Sequence, residues 1–279
     1  MTMRHLEIQG VRIPALGFGT WKLRGGECRR AVRHALAVGY RHIDTAESYD
    51  NEEEVGRAIR ESPVEREDIF LTTKVWFDHL ERDALLRAAA ASLRRLNTDY
   101  VDLLLIHWPN PAVPLREALG AMLELKAAHK VRHVGVSNFT PALLDEALAV
   151  TPILCNQVEC HPYLAQERLR ALAAHENHVL TAYSPLARGR VMKDEMLVDI
   201  GEKHEKSPAQ VTLRWHMQRD HVAAVPRSSR AEHIESNFDI FDFELSRDEM
   251  NRISSLTRGE RLIDPSFGPR WEASSSPAG

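Results

Sequence analysis

The feature that most constrains the fold is a regular alternation of short apolar runs with longer runs of helical periodicity. The strand-like runs lie at residues 16–20, 41–44, 69–74, 101–107, 132–137, 155–158, 179–184 and 222–226. Helical runs separate most of them, among them residues 27–38, 82–96, 114–129, 141–150 and 165–175. Because alternating strands and helices are typical of a parallel sheet, these eight strands predict an α/β protein, a closed (β/α)8 barrel. A doubly wound open sheet is the alternative, but no GxGxxG motif follows any strand.

The ends of the chain complete this prediction. Residues 5–14 alternate around Gly10, a pattern typical of a small β-hairpin before the barrel. A barrel of about 250 residues forms one domain, so we expect residues 1–272 to be a single domain. The last stretch, residues 273–279, is rich in Ser and is expected to be a disordered tail.

Composition and charge exclude several classes of function. The formal net charge is −4 and no block of basic residues occurs, so nucleic acid and anionic membranes are not expected as partners. No run of about 18 apolar residues is present, and the start of the chain lacks the apolar segment of a signal peptide. The 3 cysteines contain no CxxC and do not predict a disulfide framework. We therefore expect a reduced, cytoplasmic protein.

Four ionisable or polar residues stand at the carboxyl ends of three successive strands. Asp44 ends the second strand, Tyr49 follows in its loop, Lys74 ends the third strand and His107 ends the fourth. Neighbouring strands are about 4.8 Å apart, so these side chains can converge. A paired Lys and Asp offset the energetic cost of burying each other's charge. A cation beside Tyr49 would lower the pKa of the phenol, which makes Tyr49 a candidate general acid or base. His107 would donate a hydrogen bond to a substrate oxygen.

Each of these residues also has an ordinary structural explanation when taken singly. A strand His or a loop Tyr usually packs, and an Asp before Thr is often a turn residue. Their joint placement on one rim favours the functional interpretation. No metal is expected, because His175 and His178 lack a third ligand, and Cys155, Cys160 and His161 lack zinc spacing. HExxH and GxSxG motifs are also absent.

Six motifs carry a family resemblance that covers about residues 5–272. They are GYRHIDTAESYDNE, TTKVW, LLLIHWP, GVSNF, NQVECHPY and YSPLARG, and they occur in the order found in the aldo-keto reductases. Within that family the chain looks most like the bacterial 2,5-diketo-D-gluconate and methylglyoxal reductases, which have a similar short ending to RLIDPSFGPRW. The resemblance implies NADPH-dependent reduction of small aldehydes and ketones, such as methylglyoxal or diketo-gluconate, in a (β/α)8 barrel.

The resemblance also implies a role for individual residues. The family's catalytic tetrad falls on Asp44, Tyr49, Lys74 and His107. Tyr49 would protonate the carbonyl oxygen, Lys74 paired with Asp44 would lower its pKa, and His107 would orient the carbonyl. The implied cofactor-binding residues are Thr20, Trp21, Asp44, Ser137, Asn138, Gln157, Tyr183, Ser184, Leu186, Arg227, Ser228, His233 and Asn237. The implied substrate-binding residues are Trp21, Trp76, His107 and Trp108.

The stretch from Val225 to Asn237 bears on which nicotinamide cofactor is used. Ser229 and Glu232 have the spacing of a capping box, and helix N-termini bind phosphate. Arg227 would supply charge for a 2′-phosphate. The family usually has Arg where this chain has His233, and a neutral His holds a dianion less well. His233 thus weakens the preference for NADPH. Because Arg227 would still supply charge, NADPH is the expected cofactor, with NADH possible.

Two other functions are compatible with the same residues. Lys74 could form a Schiff base in a lyase, but that role needs an unpaired Lys, and Asp44 would keep it charged. The chain could also be a cofactor-binding regulatory module, like the potassium-channel β subunits that share the fold the resemblance implies. The favoured partner is a small carbonyl substrate, and a monomer is expected.

Overall fold

The computed structural model describes residues 3–271, so the tail predicted at residues 273–279 lies outside the described part of the chain. Ten strands are present in that part. They are β1 (His5–Ile8), β2 (Val11–Pro14), β3 (Phe18–Gly19), β4 (His42–Asp44), β5 (Phe70–Val75), β6 (Val101–Ile106), β7 (Val131–Ser137), β8 (Cys155–Glu159), β9 (Val179–Tyr183) and β10 (Val222–Ala224).

Ten α-helices occupy the connections between residues 3 and 271. They are α1 (Gly25–Val38), α2 (Glu52–Arg60), α3 (Arg82–Leu96), α4 (Leu115–Ala127), α5 (Pro141–Leu148), α6 (Glu167–His175), α7 (Glu195–His204), α8 (Pro208–Met217), α9 (Ala231–Phe238) and α10 (Arg247–Ser254). All five helical runs predicted from the sequence are present, and their bounds differ from the prediction by a few residues at most.

The eight strands β3 to β10 form one parallel sheet in which sequence neighbours are also neighbours in space. Backbone hydrogen bonds join its two edges: Gly17 N donates to Ala224 O at 2.8 Å, and Gly19 N donates to Pro226 O at 2.9 Å. At this seam a Cβ on Gly19 would lie 2.8 Å from the carbonyl oxygen of Val225, so the close approach requires glycine. The predicted (β/α)8 barrel is confirmed, and the open doubly wound alternative is wrong.

The predicted N-terminal hairpin is also confirmed. β1 and β2 pair antiparallel, with Leu6 opposite Ile13. In the turn between them, Gln9 Nε2 donates to the carbonyl oxygens of Ile153 and Asn177, both at 3.0 Å. Since those two residues stand just before β8 and β9, the hairpin lies across the amino-terminal end of the barrel, opposite the carboxyl ends of the strands.

Apolar side chains fill the barrel and the layer between strands and helices. In β6, for example, every residue from Val101 to Ile106 is buried, as expected for a parallel strand covered on both faces. A second apolar cluster surrounds Trp215 of α8 and includes residues of α7 and α10. The Trp215 indole N–H donates to Ser254 Oγ at 3.0 Å. No helix within residues 3–271 is long and apolar enough to cross a membrane.

Candidate active site

The carboxyl ends of β4, β5 and β6 bring together the four residues of the predicted tetrad. Asp44 and Lys74 lie at the ends of β4 and β5, and His107 directly follows β6. Tyr49 lies on a short 3-10 turn, Glu47–Tyr49, after β4. Lys74 Nζ lies 2.6 Å from Asp44 Oδ1 and 3.4 Å from the Tyr49 hydroxyl. The arrangement is therefore a buried ion pair that contacts a phenol.

The loop that carries Tyr49 is held by one buried amide. Asn51 Nδ2 donates to the carbonyl oxygens of Thr20 at 2.8 Å and Leu23 at 3.0 Å. Its Oδ1 accepts the hydroxyl of Thr45 at 2.8 Å. Asn51 thus ties the loop after β4 to the loop after β3. Because both loops are fixed to the barrel, the Tyr49 hydroxyl has a defined position relative to Lys74.

Lys74 is buried and keeps its positive charge. Burial alone would lower the pKa of Lys74, but Asp44 and Tyr49 together raise it above its ordinary value. The ammonium also donates to the carbonyl oxygen of Thr45 at 2.9 Å, and Gln157 Nε2 donates to the second Asp44 oxygen at 2.7 Å. Since Schiff-base formation needs a neutral amine, this environment argues against the lyase alternative.

The predicted lowering of the Tyr49 pKa is wrong for the net shift in this structure. Burial raises the pKa of Tyr49, Lys74 lowers it, Asp44 raises it, and the result lies above the ordinary value. The cation has the expected direction of effect, but Asp44 balances its charge. Because the phenol stays protonated at neutral pH, Tyr49 is suited to donate a proton.

His107 is a neutral imidazole. Burial lowers its pKa well below the ordinary value, and Lys74 lowers it further. Its Nδ1 lies 3.3 Å from Ser48 Oγ, and its ring contacts Tyr49 and Trp76 with centroid separations of 5.6 Å and 5.1 Å. Nε2 has no hydrogen-bond partner within residues 3–271. A neutral ring with a free Nε2 can donate a hydrogen bond to a carbonyl oxygen beside Tyr49.

The residues expected to hold the nicotinamide carboxamide form one hydrogen-bonded cluster. Ser137 Oγ donates to Gln157 O at 2.8 Å, and Asn138 Nδ2 donates to His107 O at 2.9 Å. The Tyr183 hydroxyl donates to Asn138 Oδ1 at 2.7 Å. A carboxamide offers both donors and an acceptor, so this set of buried amides and hydroxyls is chemically suited to it.

Other residues expected at the cofactor lie in the loops after β3 and β9. Thr20 is buried and its hydroxyl donates to Asp44 O at 3.0 Å. Trp21 is 40% exposed. The guanidinium carbon of Arg188 lies 5.7 Å from the centroid of its ring. Ser184, with φ of 47°, and Leu186 lie in the same loop after β9 as Arg188. This loop and the loop after β3 therefore meet at Trp21.

The predicted capping box of Ser229 and Glu232 is wrong. α9 begins at Ala231, and its N-cap residue, Arg230, makes no side-chain capping bond. Ser228 Oγ instead accepts the backbone N–H of Arg230 at 3.1 Å. The helix therefore begins one residue later than the spacing indicates, which leaves Ser229 outside the N-cap position.

The charged residues expected near a 2′-phosphate are accessible. Arg227 is exposed, and its Nε donates to the carbonyl oxygen of Trp21 at 3.1 Å. His233 lies exposed in the first turn of α9, and Asn237 is buried in the same helix. The terminal guanidinium nitrogens of Arg227 have no acidic partner in the described part of the chain. They are therefore available to an anion.

An aromatic wall, made of Trp76, Phe77, Trp108 and Phe267, lies beside His107. Phe77 and Phe267 stack, with centroids 4.6 Å apart and an interplanar angle of 13°. Trp76 and Trp108 each lie 5.6 Å from the Phe267 ring, edge-on. Trp76 and Trp108 were predicted from the sequence, whereas Phe77 and Phe267 were missed. The sequence could have indicated Phe77 because it directly follows Trp76. It could have indicated Phe267 because this is an aromatic residue in a polar terminal stretch.

Two carboxylates near the site were also missed. Glu47 accepts the backbone N–H of Trp76 at 3.0 Å and lies 2.9 Å from His79 Nδ1. Glu159, at the end of β8, accepts hydrogen bonds from residues 262 and 263. Both stand within motifs already singled out, so position alone could have indicated them. The His, Cys, Asp and Glu side chains of residues 3–271 form no group that could hold a metal ion.

Comparison with known proteins gives one family and close relatives. The model of the Aldo/keto reductase family matches residues 15–258. A methylglyoxal reductase, DkgB, of Escherichia coli O157:H7 is 40% identical over 266 residues, which cover 93% of this chain and 99% of that protein. A glyoxal reductase of Bacillus subtilis (strain 168) is 43% identical over 256 residues, 91% of this chain and 92% of that one.

Solved structures agree with these sequence matches. A crystal structure provisionally named 2,5-diketo-D-gluconic acid reductase B superimposes with a TM-score of 0.95 at 44% identity, and 98% of each chain is covered. The thermostable aldo-keto reductase Tm1743, solved in complex with the inhibitor epalrestat, has a TM-score of 0.87 at 40% identity. That match covers 92% of this chain and 100% of the other.

Proposed function

Because the chain belongs to the aldo/keto reductase family, we propose that it reduces small aldehydes and ketones to alcohols, with NADPH as the reductant and Tyr49 as the proton donor. The observation that carries the proposal is the 3.4 Å contact between the Tyr49 hydroxyl and Lys74 Nζ, beside the neutral ring of His107. A protonated phenol, a fixed cation and a free imidazole nitrogen are the parts that carbonyl protonation requires.

Each residue of the tetrad has a separate task in this proposal. Nicotinamide, when bound, supplies a hydride to the carbonyl carbon. Tyr49 donates its phenolic proton to the carbonyl oxygen, and the cation of Lys74 stabilises the phenolate that remains. Asp44 holds Lys74 charged and in place. His107 Nε2–H donates a hydrogen bond to the same carbonyl oxygen and so fixes its direction.

Cofactor binding is assigned to the residues around the amide cluster. Ser137, Asn138 and Gln157 would hold the carboxamide, and Tyr183 would stack on the ring. The exposed Arg227 favours the 2′-phosphate of NADPH, because a guanidinium matches a phosphate geometrically. His233 contributes less charge at neutral pH, so use of NADH at a lower affinity is compatible with the site.

The substrate proposal follows the aromatic wall and the named relatives. Methylglyoxal, glyoxal and 2,5-diketo-D-gluconate are the compounds in the relatives' names. We propose that this chain takes small dicarbonyls of that class. A single domain, a monomeric state and a cytoplasmic location remain predictions that accompany this proposal.

Tyr49→Phe is the test of the mechanism. The substitution removes the proton donor and keeps the ring, so reduction should fall by roughly 10²–10⁴-fold. Affinity for NADPH, measured by fluorescence titration, should stay nearly unchanged. The assay follows the loss of reduced-nicotinamide absorbance with methylglyoxal and with a diketo sugar acid.

The possible results separate the functions under consideration. Turnover like that of the wild type in Tyr49→Phe would contradict the assigned proton donor. Tight NADPH binding by the wild type with no oxidation of the cofactor by any carbonyl tested would favour the regulatory binding module instead. Borohydride trapping of a carbonyl on Lys74 would favour the lyase.

A further inference from the structure

Glu159 is a buried carboxylate that the proposed reduction does not use. It ends β8, and its side chain is fully buried. Oε1 accepts the backbone N–H of Leu262 at 2.8 Å, and Oε2 accepts that of Ile263 at 3.0 Å. His161 Nε2 lies 3.1 Å from Oε1. A charge is buried in this way only when hydrogen bonds compensate it, and here most of them come from one distant part of the chain.

That distant part is the C-terminal segment, which we define as residues 261–271. It contains no helix or strand, so regular backbone pairing does not hold it on the barrel. Within it, Gly268 N closes a turn onto Pro265 O at 2.8 Å. The guanidinium carbon of Arg261 lies 3.7 Å from the centroid of the Trp271 ring. The two bonds to Glu159 are therefore the main polar attachment of its first residues to the strand ends.

Phe267 is the part of the C-terminal segment that reaches the substrate side. It completes the aromatic wall by stacking on Phe77 and by edge contacts with Trp76 and Trp108. The side chain is nevertheless 39% exposed, so packing alone secures it only in part. We therefore expect the position of Phe267 to depend on how firmly the chain is held at Leu262 and Ile263.

β8 connects this attachment to the tetrad. Gln157 and Glu159 are two residues apart on the strand, so their side chains point to the same face. Gln157 donates to Asp44, and Glu159 accepts from the C-terminal segment. β8 thus contacts the tetrad through Gln157 and the segment that carries Phe267 through Glu159.

We propose that Glu159 is a positioning residue for substrate selection, which holds the C-terminal segment so that Phe267 completes the aromatic wall. This inference rests on the proposed reductase function. Glu159 acts through Phe267 and does not touch the reacting atoms. Its loss should weaken the binding of carbonyl compounds large enough to reach Phe267, and leave proton transfer by Tyr49 intact.

The first experiment measures hydrogen exchange in wild type and Glu159→Gln. Glutamine keeps the size of the side chain, but its NH2 group replaces one of the two oxygens that accept Leu262 N–H and Ile263 N–H, so one of these backbone donors would face another donor. We expect the amides of Leu262 and Ile263 to exchange at least about tenfold faster, as the loss of a hydrogen bond to a charged group allows. This readout does not depend on any enzymatic activity.

The second experiment compares kinetics with a large and a small carbonyl, 4-nitrobenzaldehyde and methylglyoxal. In Glu159→Gln we expect KM for the aromatic aldehyde to rise by about tenfold, equivalent to the loss of one hydrogen bond. KM for methylglyoxal, kcat for both and NADPH affinity should change little. Phe267→Ala should show the same pattern, and the double variant should be no worse than either single one.

Glu260→Gln is the matched control. Glu260 lies just before the C-terminal segment and pairs with Arg258 and Arg190, so its loss removes a nearby carboxylate without removing the two amide contacts. It should leave exchange and KM unchanged. Glu159→Asp keeps the charge but shortens the side chain, and it serves as a second variant if the glutamine variant fails to fold.

The exchange and kinetic results either support or overturn the role proposed for Glu159. Faster exchange with a selective rise in KM supports the proposal. Unchanged exchange at Leu262 and Ile263 overturns it, and so does an additive double variant or an equal loss of kcat with both carbonyls. A wild type that reduces neither compound would contradict the proposed function, while the exchange data would still report on the attachment.

Discussion

At the scale of single residues, the site depends on how one negative charge is shared. Asp44 pairs with Lys74, accepts from Gln157, and lies close enough to raise the pKa of Tyr49. These contacts offset the cost of burying the ammonium group of Lys74, which would be large without a partner. The same charge weakens the influence of Lys74 on the phenol. Burial raises the pKa of Tyr49 most, and Asp44 adds to this effect, so Tyr49 remains an acid, as carbonyl reduction requires.

The pH dependence of reduction follows from the raised pKa of Tyr49. The active form is the protonated phenol, so activity is present below its pKa and is lost as the pH rises through it. Since the shift is upward from the ordinary value, kcat for reduction should be flat across neutral pH and fall only above about pH 10. Steady-state rates at saturating cofactor measure this. A decline that begins near pH 7 would contradict the assignment of Tyr49 as the acid.

Arg227 and His233 make a second prediction at this scale. Arg227→Ala should weaken NADPH by roughly tenfold and NADH much less, because only NADPH carries the phosphate that the guanidinium binds. His233→Arg should have the opposite effect and raise affinity for NADPH relative to NADH. Dissociation constants from fluorescence titration give both ratios. Equal losses for the two cofactors in Arg227→Ala would place phosphate recognition elsewhere.

At the scale of elements, α2 and α3 pack against each other outside the strands that carry the tetrad. α2 follows the loop of Tyr49, and α3 follows β5 and Lys74. The two helices approach so closely that a Cβ on Gly56 would overlap the carbonyl oxygen of Leu96. This contact places α2 directly against the end of α3.

Gly56→Ala and Gly120→Ala form a matched pair that tests this contact. In a helix interior, alanine is better than glycine by about 0.5–1 kcal/mol. A Cβ added to Gly120 in α4 would have no atom within 4 Å, so its substitution should stabilise the protein by about that amount. Gly56→Ala should instead destabilise it by about 1–3 kcal/mol, because Leu96 O must move. Urea unfolding compares the two, and equal effects would contradict the packing argument.

At the scale of the whole molecule, the interior holds several neutral histidines. Burial lowers the pKa of His42, His107 and His216, and lowers that of His178 to about 4. These side chains come from different parts of the barrel, so they report on the molecule as a whole. An unfolded chain would protonate them readily, whereas the folded chain resists protonation.

Stability should therefore fall on acidification. Below about pH 6.5 the unfolded state binds protons that the folded state does not, so each buried histidine reduces the free energy of unfolding by up to about 1.4 kcal/mol per pH unit. For His178 this loss continues as the pH falls to about 4. Urea unfolding at pH 7 and pH 5 measures the slope. His178→Gln should reduce the slope, and the exposed His175→Gln should not; identical slopes in all three proteins would contradict the prediction.

The sequence by itself determined the barrel and the meeting of Asp44, Tyr49, Lys74 and His107 at one rim of it. Period and spacing suffice for that, because a parallel strand buried on both faces is a continuous apolar run, and a polar residue at its end, such as Asp44 or Lys74, stands out. Helix bounds such as Arg82–Leu96 were predictable for the same reason, since they depend on local periodicity.

Only the tertiary structure decided the features that depend on distance through space. The net pKa of Tyr49 depends on how burial and Asp44 offset Lys74, which no spacing along the chain reveals. α9 begins at Ala231, one residue later than the Ser229–Glu232 spacing indicated, and Ser228 rather than Ser229 accepts a backbone N–H at this turn. The contact of Glu159 with Leu262 and Ile263 joins residues more than a hundred positions apart. Local periodicity indicates which face of an element is buried. Which group pairs with a buried charge depends on contacts that form only when distant parts of the chain fold together.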